Sequence, residues 1–247
     1  MNLILVREGE LAPGNLVTVS DGRASHILRV LQAGPGATVR VGLVDGPLGT
    51  ATVVRAAGGR VVLACVFGEE RPAAPRIDLL LALPRPKVLA RLWPQLAALG
   101  VGRIVLANAA RVERCYFDSH VLSPEHFTPR LIEGLQQARD TRLPEVLVRR
   151  RFRPFVEDEL DGLFPAGLRL AADPGGQRRI GECFPAPGGE APARVLLAVG
   201  PEGGWVPFEL GLLRARGFAV AGLGSRTLRT DTACIGLLSI VAERLRA

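Results

Sequence analysis

Two glycine-bearing stretches near the C-terminal end of this 247-residue chain hold the residues best suited to grip a ligand. The first is Gly200-Pro201-Glu202-Gly203-Gly204, directly after the apolar run 195–199. The second runs from Gly224 through Ser225, Arg226, Thr227, Leu228, Arg229, Thr230, Asp231 and Thr232 to Ala233, after the short apolar segment 218–223. Glycine at a strand end lets backbone approach a ligand closely and supplies unpaired N–H groups. The spacing of Gly200, Gly203 and Gly204 does not fit G-x-G-x-x-G, and no G-K-[ST] follows, so neither phosphate-binding fingerprint is present. From the residues alone, the two stretches read either as the ligand site usual at the strand ends of an α/β sheet or as two ordinary tight turns.

The elements that position these loops follow from hydrophobic patterning. Residues 195–199 read as a fully buried strand, a helix begins at Val206-Pro207, and residues 218–223 form a short strand. An amphipathic helix over 233–245 closes the chain. Upstream, strand 77–83 leads through Pro84-Arg85-Pro86-Lys87 into a helix over 88–99, which Pro94 is expected to kink or break. Strand 103–107, a helix over 124–139, and strands 145–148 and 168–172 follow, and residues 181–194 read as a loop. The first 70 residues are β-rich: short apolar segments at 16–19, 37–44, 50–55 and 61–67 alternate with turn signals, and a helical piece covers 24–31. That spacing suggests a small barrel. The polar, proline-bearing stretch 69–76 marks a boundary, giving domains 1–72 and 73–247.

Composition narrows the function. The formal net charge is +7, and every cation except Lys87 is arginine. An arginine-rich, positive chain suits a polyanionic partner, because the guanidinium fork matches phosphate and stacks on bases. No apolar run approaches the length of a membrane span, and the N-terminus lacks the pattern of a signal peptide, so no membrane association and cytoplasmic residence are expected. Cys65, Cys115, Cys183 and Cys234 are scattered and His26, His120 and His126 do not cluster, so neither a metal site nor a disulfide framework is expected. The basic run 149–153 reads as an exposed face, with RNA contact as the alternative.

Read together, GPEGGW and LGSRTLRTDTA (200–205 and 223–233) closely resemble the two C-terminal motifs of the RsmE family of SPOUT RNA methyltransferases. The resemblance extends along the chain. His26 with Val30, Leu31 and Gly36 is similar to the family's H-x-x-x-V-L-R-x-x-x-G segment, with Gln32 in place of its arginine. Lys87 stands where the family has a lysine after the strand. Gln137 and Pro144-Glu145-Val146 match a further segment, but its glutamate is Gln136 here and its G-R pair is Arg139-Asp140. Asp173-Pro174 aligns with a position that often carries H-P at the edge of the cofactor pocket.

What the resemblance implies is specific. The fold class is α/β: a C-terminal SPOUT domain whose end threads a trefoil knot, with a small N-terminal PUA-like β-barrel that binds RNA. The activity is methylation of N3 of one uridine in 16S ribosomal RNA, with S-adenosylmethionine as donor. The partners are 16S rRNA within the small ribosomal subunit and a second copy of the chain in a homodimer. Donor binding falls to Leu197, Val199, Gly200, Pro201 and Gly203 of the first loop, and to Leu223, Gly224, Ser225 and Leu228 of the second. Arg229 is the cation that offsets charge on the uracil oxygens, or else it braces the fold against Asp231 or Glu202. Glu202 orients the base or takes its proton, or else caps the helix that follows. RNA contacts fall to Arg29, Lys87, Arg139 and Arg226, with Arg7, Arg23, Arg40, Arg55 and Arg60 available beside Arg29 to a basic face, and with Arg139 or Arg142 serving in place of the family's arginine. Two other readings stay open: an RNA-binding assembly factor without catalysis, and a related enzyme acting on another nucleotide.

Overall fold

The computed structural model of the chain describes residues 3–186 and 189–246. It divides into two compact units, residues 1–74 with 131–143, and residues 75–130 with 144–247.

The first unit is built on strands β1 (Ile4–Val6), β2 (Leu16–Val19), β3 (Thr38–Leu43), β4 (Leu48–Ala57) and β5 (Arg60–Phe67). They form one sheet in the order β1-β3-β4-β5-β2, in which β1 runs parallel to β3 and every other pair is antiparallel. Side chains alternate across a pleated strand, and the sequence alternates with them. Val17 and Val19, Val39 and Val41, and Val61, Leu63 and Cys65 all turn inward onto a core that includes Ile27. The strand β1 carries no alternation and was not anticipated. The segment expected to be one helix is a short α-turn, Gly22–Ser25, continued by a π-helical turn, His26–Val30. Asp21 caps it by accepting from the Arg23 N–H at 2.9 Å. Arg23 itself is held by Glu10 at 2.6 Å and Asp21 at 2.8 Å, which takes it out of the basic face. Residues 131–143 belong here because Thr141 Oγ1 donates to the Gly46 carbonyl at 2.7 Å and Asp45 Oδ1 accepts from the Leu143 N–H at 2.9 Å.

The second unit holds β6 (Ile77–Ala82), β7 (Val101–Ala107), β8 (Glu145–Arg149), β9 (Leu168–Ala172), β10 (Arg178–Arg179), β11 (Val195–Val199) and β12 (Ala219–Gly222). They form a sheet of order β10-β12-β9-β11-β6-β7-β8, parallel throughout. The strands β6 and β11 are buried along their whole length, so β11 reads as an unbroken apolar run and β6 is apolar apart from Asp78. The longer helices are α1 (Pro86–Ala98), α2 (Pro124–Ala138), α3 (Pro207–Ala215) and α4 (Thr230–Arg246). Pro94 does not break α1 as expected. The helix loses one backbone donor there, but Leu89, Leu92, Trp93 and Leu96 around it are fully buried, and Trp93 Nε1 donates to the Val121 carbonyl at 3.2 Å. Packing on that face outweighs the missing hydrogen bond.

The basic run 149–153 is largely neutralised from within. Arg149 pairs with Glu159 at 2.6 Å and Arg153 with Glu157 at 2.9 Å, while Arg150 donates to the Phe117 carbonyl at 2.9 Å. Both glutamates lie on a helical stretch, 152–163, that was not anticipated. Of the expected loop 181–194, the start is a 3₁₀ turn, Ile180–Cys183, and Pro187 and Gly188 lie outside the described residues.

One buried charge sits in the sheet itself. Asp78 on β6 is fully buried, and Arg194, just before β11, grips it with two parallel hydrogen bonds, Nε to Oδ2 and Nη2 to Oδ1 (the latter 2.7 Å). The hydrogen bond to Asp78 pushes the Arg194 guanidinium above its ordinary pKa. Removing only the arginine would leave a buried carboxylate unpaired. Arg194→Met should therefore lower the unfolding free energy by about 3–5 kcal/mol in a denaturant titration, and adding Asp78→Leu should recover most of the loss.

Candidate active site

In a parallel sheet, every loop leaving a strand's carboxyl end emerges on the same edge. The strands β12, β9 and β11 are neighbours, and their three exit loops enclose a cleft of about 710 Å³, counting the solvent at its mouth. The β9 loop contributes Ala172, Asp173 and Pro174. The β11 loop contributes Val199, Gly200, Pro201, Glu202 and Gly204. The β12 loop contributes Leu223, Gly224, Arg226, Thr227 and Leu228, and Thr230, Ala233 and Leu237 of α4 complete the wall.

The β11 loop is held from several sides. The Gly204 N–H closes a turn onto the Pro201 carbonyl at 2.8 Å, with Gly204 at φ +75°, where a side chain would be strained. Arg111 donates from Nη1 to the Gly203 carbonyl, and its side chain packs so closely that a Cβ on Gly203 would stand 2.8 Å from Arg111 Cδ. The indole of Trp205 covers Gly200, leaving only 3.1 Å for a Cβ. Beneath the loop lies Glu209, 3% exposed, whose carboxylate accepts from the Val206 N–H at 2.9 Å and the Ala110 N–H at 2.7 Å. One side chain thus satisfies the start of α3 and ties it to the loop after β7. The other structural pair is Asp231 with Arg91 at 2.9 Å. Arg91 holds the Asp231 carboxyl below the usual carboxylate range.

The residues expected from sequence fall into three groups. Val199, Gly200, Pro201, Leu223, Gly224 and Leu228 line the cleft, together with Glu202. Gly203 and Ser225 lie on the same loops but outside its wall, and Leu197 is buried in β11. Arg229 is exposed beside the cleft, does not line it, and among the described residues has no ion-pair partner. It braces neither Asp231, which pairs with Arg91, nor Glu202, whose Oε1 accepts from the Arg85 N–H at 3.1 Å. Arg226, expected at the RNA, is the arginine in the cleft wall. Arg29 and Arg139 belong to the first unit, and Lys87 is in the first turn of α1. Sequence reasoning missed Glu209, Arg111 and the α4 contribution. The spacing from Val206 to Glu209 is that of a capping box, but Val206 has no side-chain acceptor to advertise it.

Chemically, the cleft offers backbone polar groups at glycine turns, an apolar wall, two carboxylates (Asp173 and Glu202) and one guanidinium. Such groups suit a site that positions a ligand and stabilises charge on it. No group of three or more metal-ligating side chains is found among the described residues. None of their helices is long and apolar enough to cross a membrane.

Because Glu209 satisfies two backbone donors at once, Glu209→Ala should leave both unpaired, at a cost of about 1–3 kcal/mol each. Hydrogen exchange of the Ala110 and Val206 amides should accelerate accordingly. Wild-type protection at both would contradict this role.

Residues 70–242 match the family model described as an RNA methyltransferase domain. Ribosomal RNA small subunit methyltransferase E of Treponema pallidum is 31% identical over 256 residues, spanning 100% of this chain and 92% of that protein. A Borreliella burgdorferi protein named ribosomal RNA small subunit methyltransferase E 1 is 23% identical and covers 99% of each chain. The fold matches a ribosomal RNA small subunit methyltransferase E of Neisseria gonorrhoeae bound to S-adenosyl methionine, with a TM-score of 0.73 at 21% identity over 98% of this chain and 96% of that one. It also matches a Legionella pneumophila structure in complex with the cofactor SAM, with a TM-score of 0.76 at 24% identity, covering 97% and 96%. With the whole length matched to such relatives and both glycine loops within the matched domain, the chain belongs to the RNA methyltransferase domain family, among the ribosomal RNA small subunit methyltransferases E.

Proposed function

We propose that this protein transfers a methyl group from S-adenosylmethionine to N3 of one uridine in 16S ribosomal RNA. The observation that carries the reading is the three-loop cleft, built from both glycine motifs, in a chain of this family. Asp173 and Glu202 in its wall provide negative charge for a ligand that bears a sulfonium and an ammonium. The N. gonorrhoeae and L. pneumophila structures of the same fold hold that compound. In this reading the donor rests on the loop backbone at 199–203 and 223–225 and against Leu228, and the RNA enters with its target base turned out of the stack.

Uracil N3 carries a proton between two carbonyls and is a poor nucleophile until that proton leaves. S-adenosylmethionine, when bound, supplies the methyl group on a positively charged sulfur. Glu202 is the cleft carboxylate that takes the N3 proton, directly or through a water. Arg229, exposed and free of an ion-pair partner, offsets the charge that then develops on the uracil oxygens. Arg226 in the wall, with Lys87, Arg29 and Arg139, contacts the RNA. Residues 1–72, with which 131–143 form one compact unit, are read as a PUA-like RNA-binding domain, and the rest of 73–247 as a SPOUT domain whose C-terminal segment forms a trefoil knot. The working form is a cytoplasmic homodimer acting on the small ribosomal subunit.

Calorimetric titration tests the donor site. The wild type should bind S-adenosylmethionine, and Leu228→Trp, which fills the cleft from an exposed position, should weaken that binding at least tenfold. No binding by folded wild-type protein would leave a non-catalytic RNA-binding role as the better reading. For catalysis, Arg229→Ala should lower kcat by about 10²-fold with donor affinity unchanged. Mass mapping of the methylated rRNA would identify the base.

A further inference from the structure

Gly203 and Gly204 stand side by side in the β11 loop, so the peptide group between them has no flanking side chain to fix its orientation. Such a plane turns over at little steric cost, and its direction is set by what its two polar atoms bind. Here both are bound. The Gly204 N–H donates to the Pro201 carbonyl at 2.8 Å and closes the turn 201–204. The Gly203 carbonyl, at the other end of the same plane, accepts from Arg111 Nη1. Pro201, Glu202 and Gly204 line the cleft, whereas Gly203 and Arg111 do not. The arginine therefore holds the turn from outside the cleft wall.

Arg111 is itself placed by the backbone on either side of it. The Ala110 N–H is held by Glu209 at 2.7 Å, and the Val112 N–H closes a turn onto the Ala109 carbonyl at 3.0 Å. The arginine stem lies along Gly203, where an added Cβ would meet Arg111 Cδ at 2.8 Å, Cβ at 3.4 Å and Cγ at 3.6 Å. Gly203 does not have a positive φ, so the stem, and not the backbone conformation, is what demands glycine there. A second fastening is the bond from the Arg85 N–H to Glu202 Oε1 at 3.1 Å. Without Arg111 the 203–204 plane is free to turn over. That motion breaks the Gly204–Pro201 bond, opens the turn and displaces the wall residues Glu202 and Gly204.

We infer that Arg111 is a positioning residue for methyl transfer, which keeps the β11 loop in its donor-accepting form by binding the Gly203 carbonyl. The inference rests on the donor site proposed above and adds a residue that sets its affinity. A hydrogen bond from a guanidinium is stronger than one between neutral groups, which suits it to fix an otherwise soft peptide. A loop that holds its accepting form for only a fraction of the time binds its ligand more weakly by that fraction. Saturating donor draws the loop back. The cost of losing Arg111 thus falls on donor affinity and not on the chemical step.

The test measures S-adenosylmethionine binding by calorimetry, and donor KM and kcat on unmethylated small ribosomal subunits. Arg111→Met keeps most of the stem and loses the hydrogen bond. It should weaken donor binding and raise donor KM about tenfold, with kcat at saturating donor within about twofold of the wild type, as expected when about a tenth of the loops stay in the accepting form. Arg111→Lys retains a cationic donor and should recover part of the affinity. The Gly204 amide should exchange faster in donor-free Arg111→Met and regain wild-type protection when donor is saturating. Gly203→Ala pushes the stem off the loop with the arginine still present, and should weaken binding in the same way. The double variant should bind no more weakly than the weaker single one, because both changes break one contact. Should Arg111→Met fail to fold, Gly203→Ala and Arg111→Lys carry the same comparison. Wild-type donor affinity in these variants, or a fall in kcat at saturating donor with donor KM unchanged, would overturn the positioning role alone. Absence of donor binding by the folded wild type would overturn this inference and the donor reading together.

Discussion

The site depends on the parallel pairing of β12, β9 and β11. Parallel strands need long crossovers, so residues far apart in sequence, near 173, 201 and 226, can be neighbours only if those crossovers close correctly. Once they do, all three exit loops emerge on one edge, and a cleft forms without any residue having to reach across the sheet. Two buried carboxylates pin the arrangement. Asp78, gripped by Arg194, locks β6 to the start of β11, and Glu209 fixes the far end of the β11 loop to the segment after β7. Each is buried, and each is tolerated there because its acceptor oxygens are satisfied.

That division of labour leaves Arg226 and Arg229 without an ion-pair partner among the described residues, while Glu202 and Asp173 each keep one hydrogen bond, from the Arg85 and Gly175 N–H groups. Arginines elsewhere in the second unit are consumed by structure: Arg169 and Arg216 share Asp161, Arg103 pairs with Glu145, and Arg76 donates to the Leu245 carbonyl at 2.9 Å. A high arginine count is thus a poor guide to RNA contact in this chain. The informative arginines are those without a partner, of which Arg229 is one, and Arg226 stands in the cleft wall itself.

Much of this was legible in the sequence. The strand β11 is a continuous apolar run, β6, β7 and β9 are apolar runs interrupted by one charged residue each (Asp78, Arg103 and Arg169), and both glycine stretches announce their loops. Asp173-Pro174 was placed at the pocket edge by its alignment with a family motif. What escaped depends on contacts distant in sequence. The strand β1 is three residues long and exists because β3 lies beside it. Pro94 looks like a helix breaker until the burial of its neighbours is known. Residues 131–143 carry no signal that Thr141 would bond to the turn at Gly46, and Glu209 resembles an ordinary first-turn glutamate until Ala110 is placed over it. The relative placement of Arg226 and Arg229 turns on the path of one loop, which spacing alone does not determine.

In the proposed function, three separate exit loops form one methyl-donor site. Hydrogen–deuterium exchange with and without S-adenosylmethionine addresses it directly, because each loop reports separately. Donor binding should slow exchange together in the segments 172–176, 199–206 and 223–230, with the N-terminal unit unchanged. Protection confined to one of these segments, or appearing in the N-terminal unit instead, would contradict it.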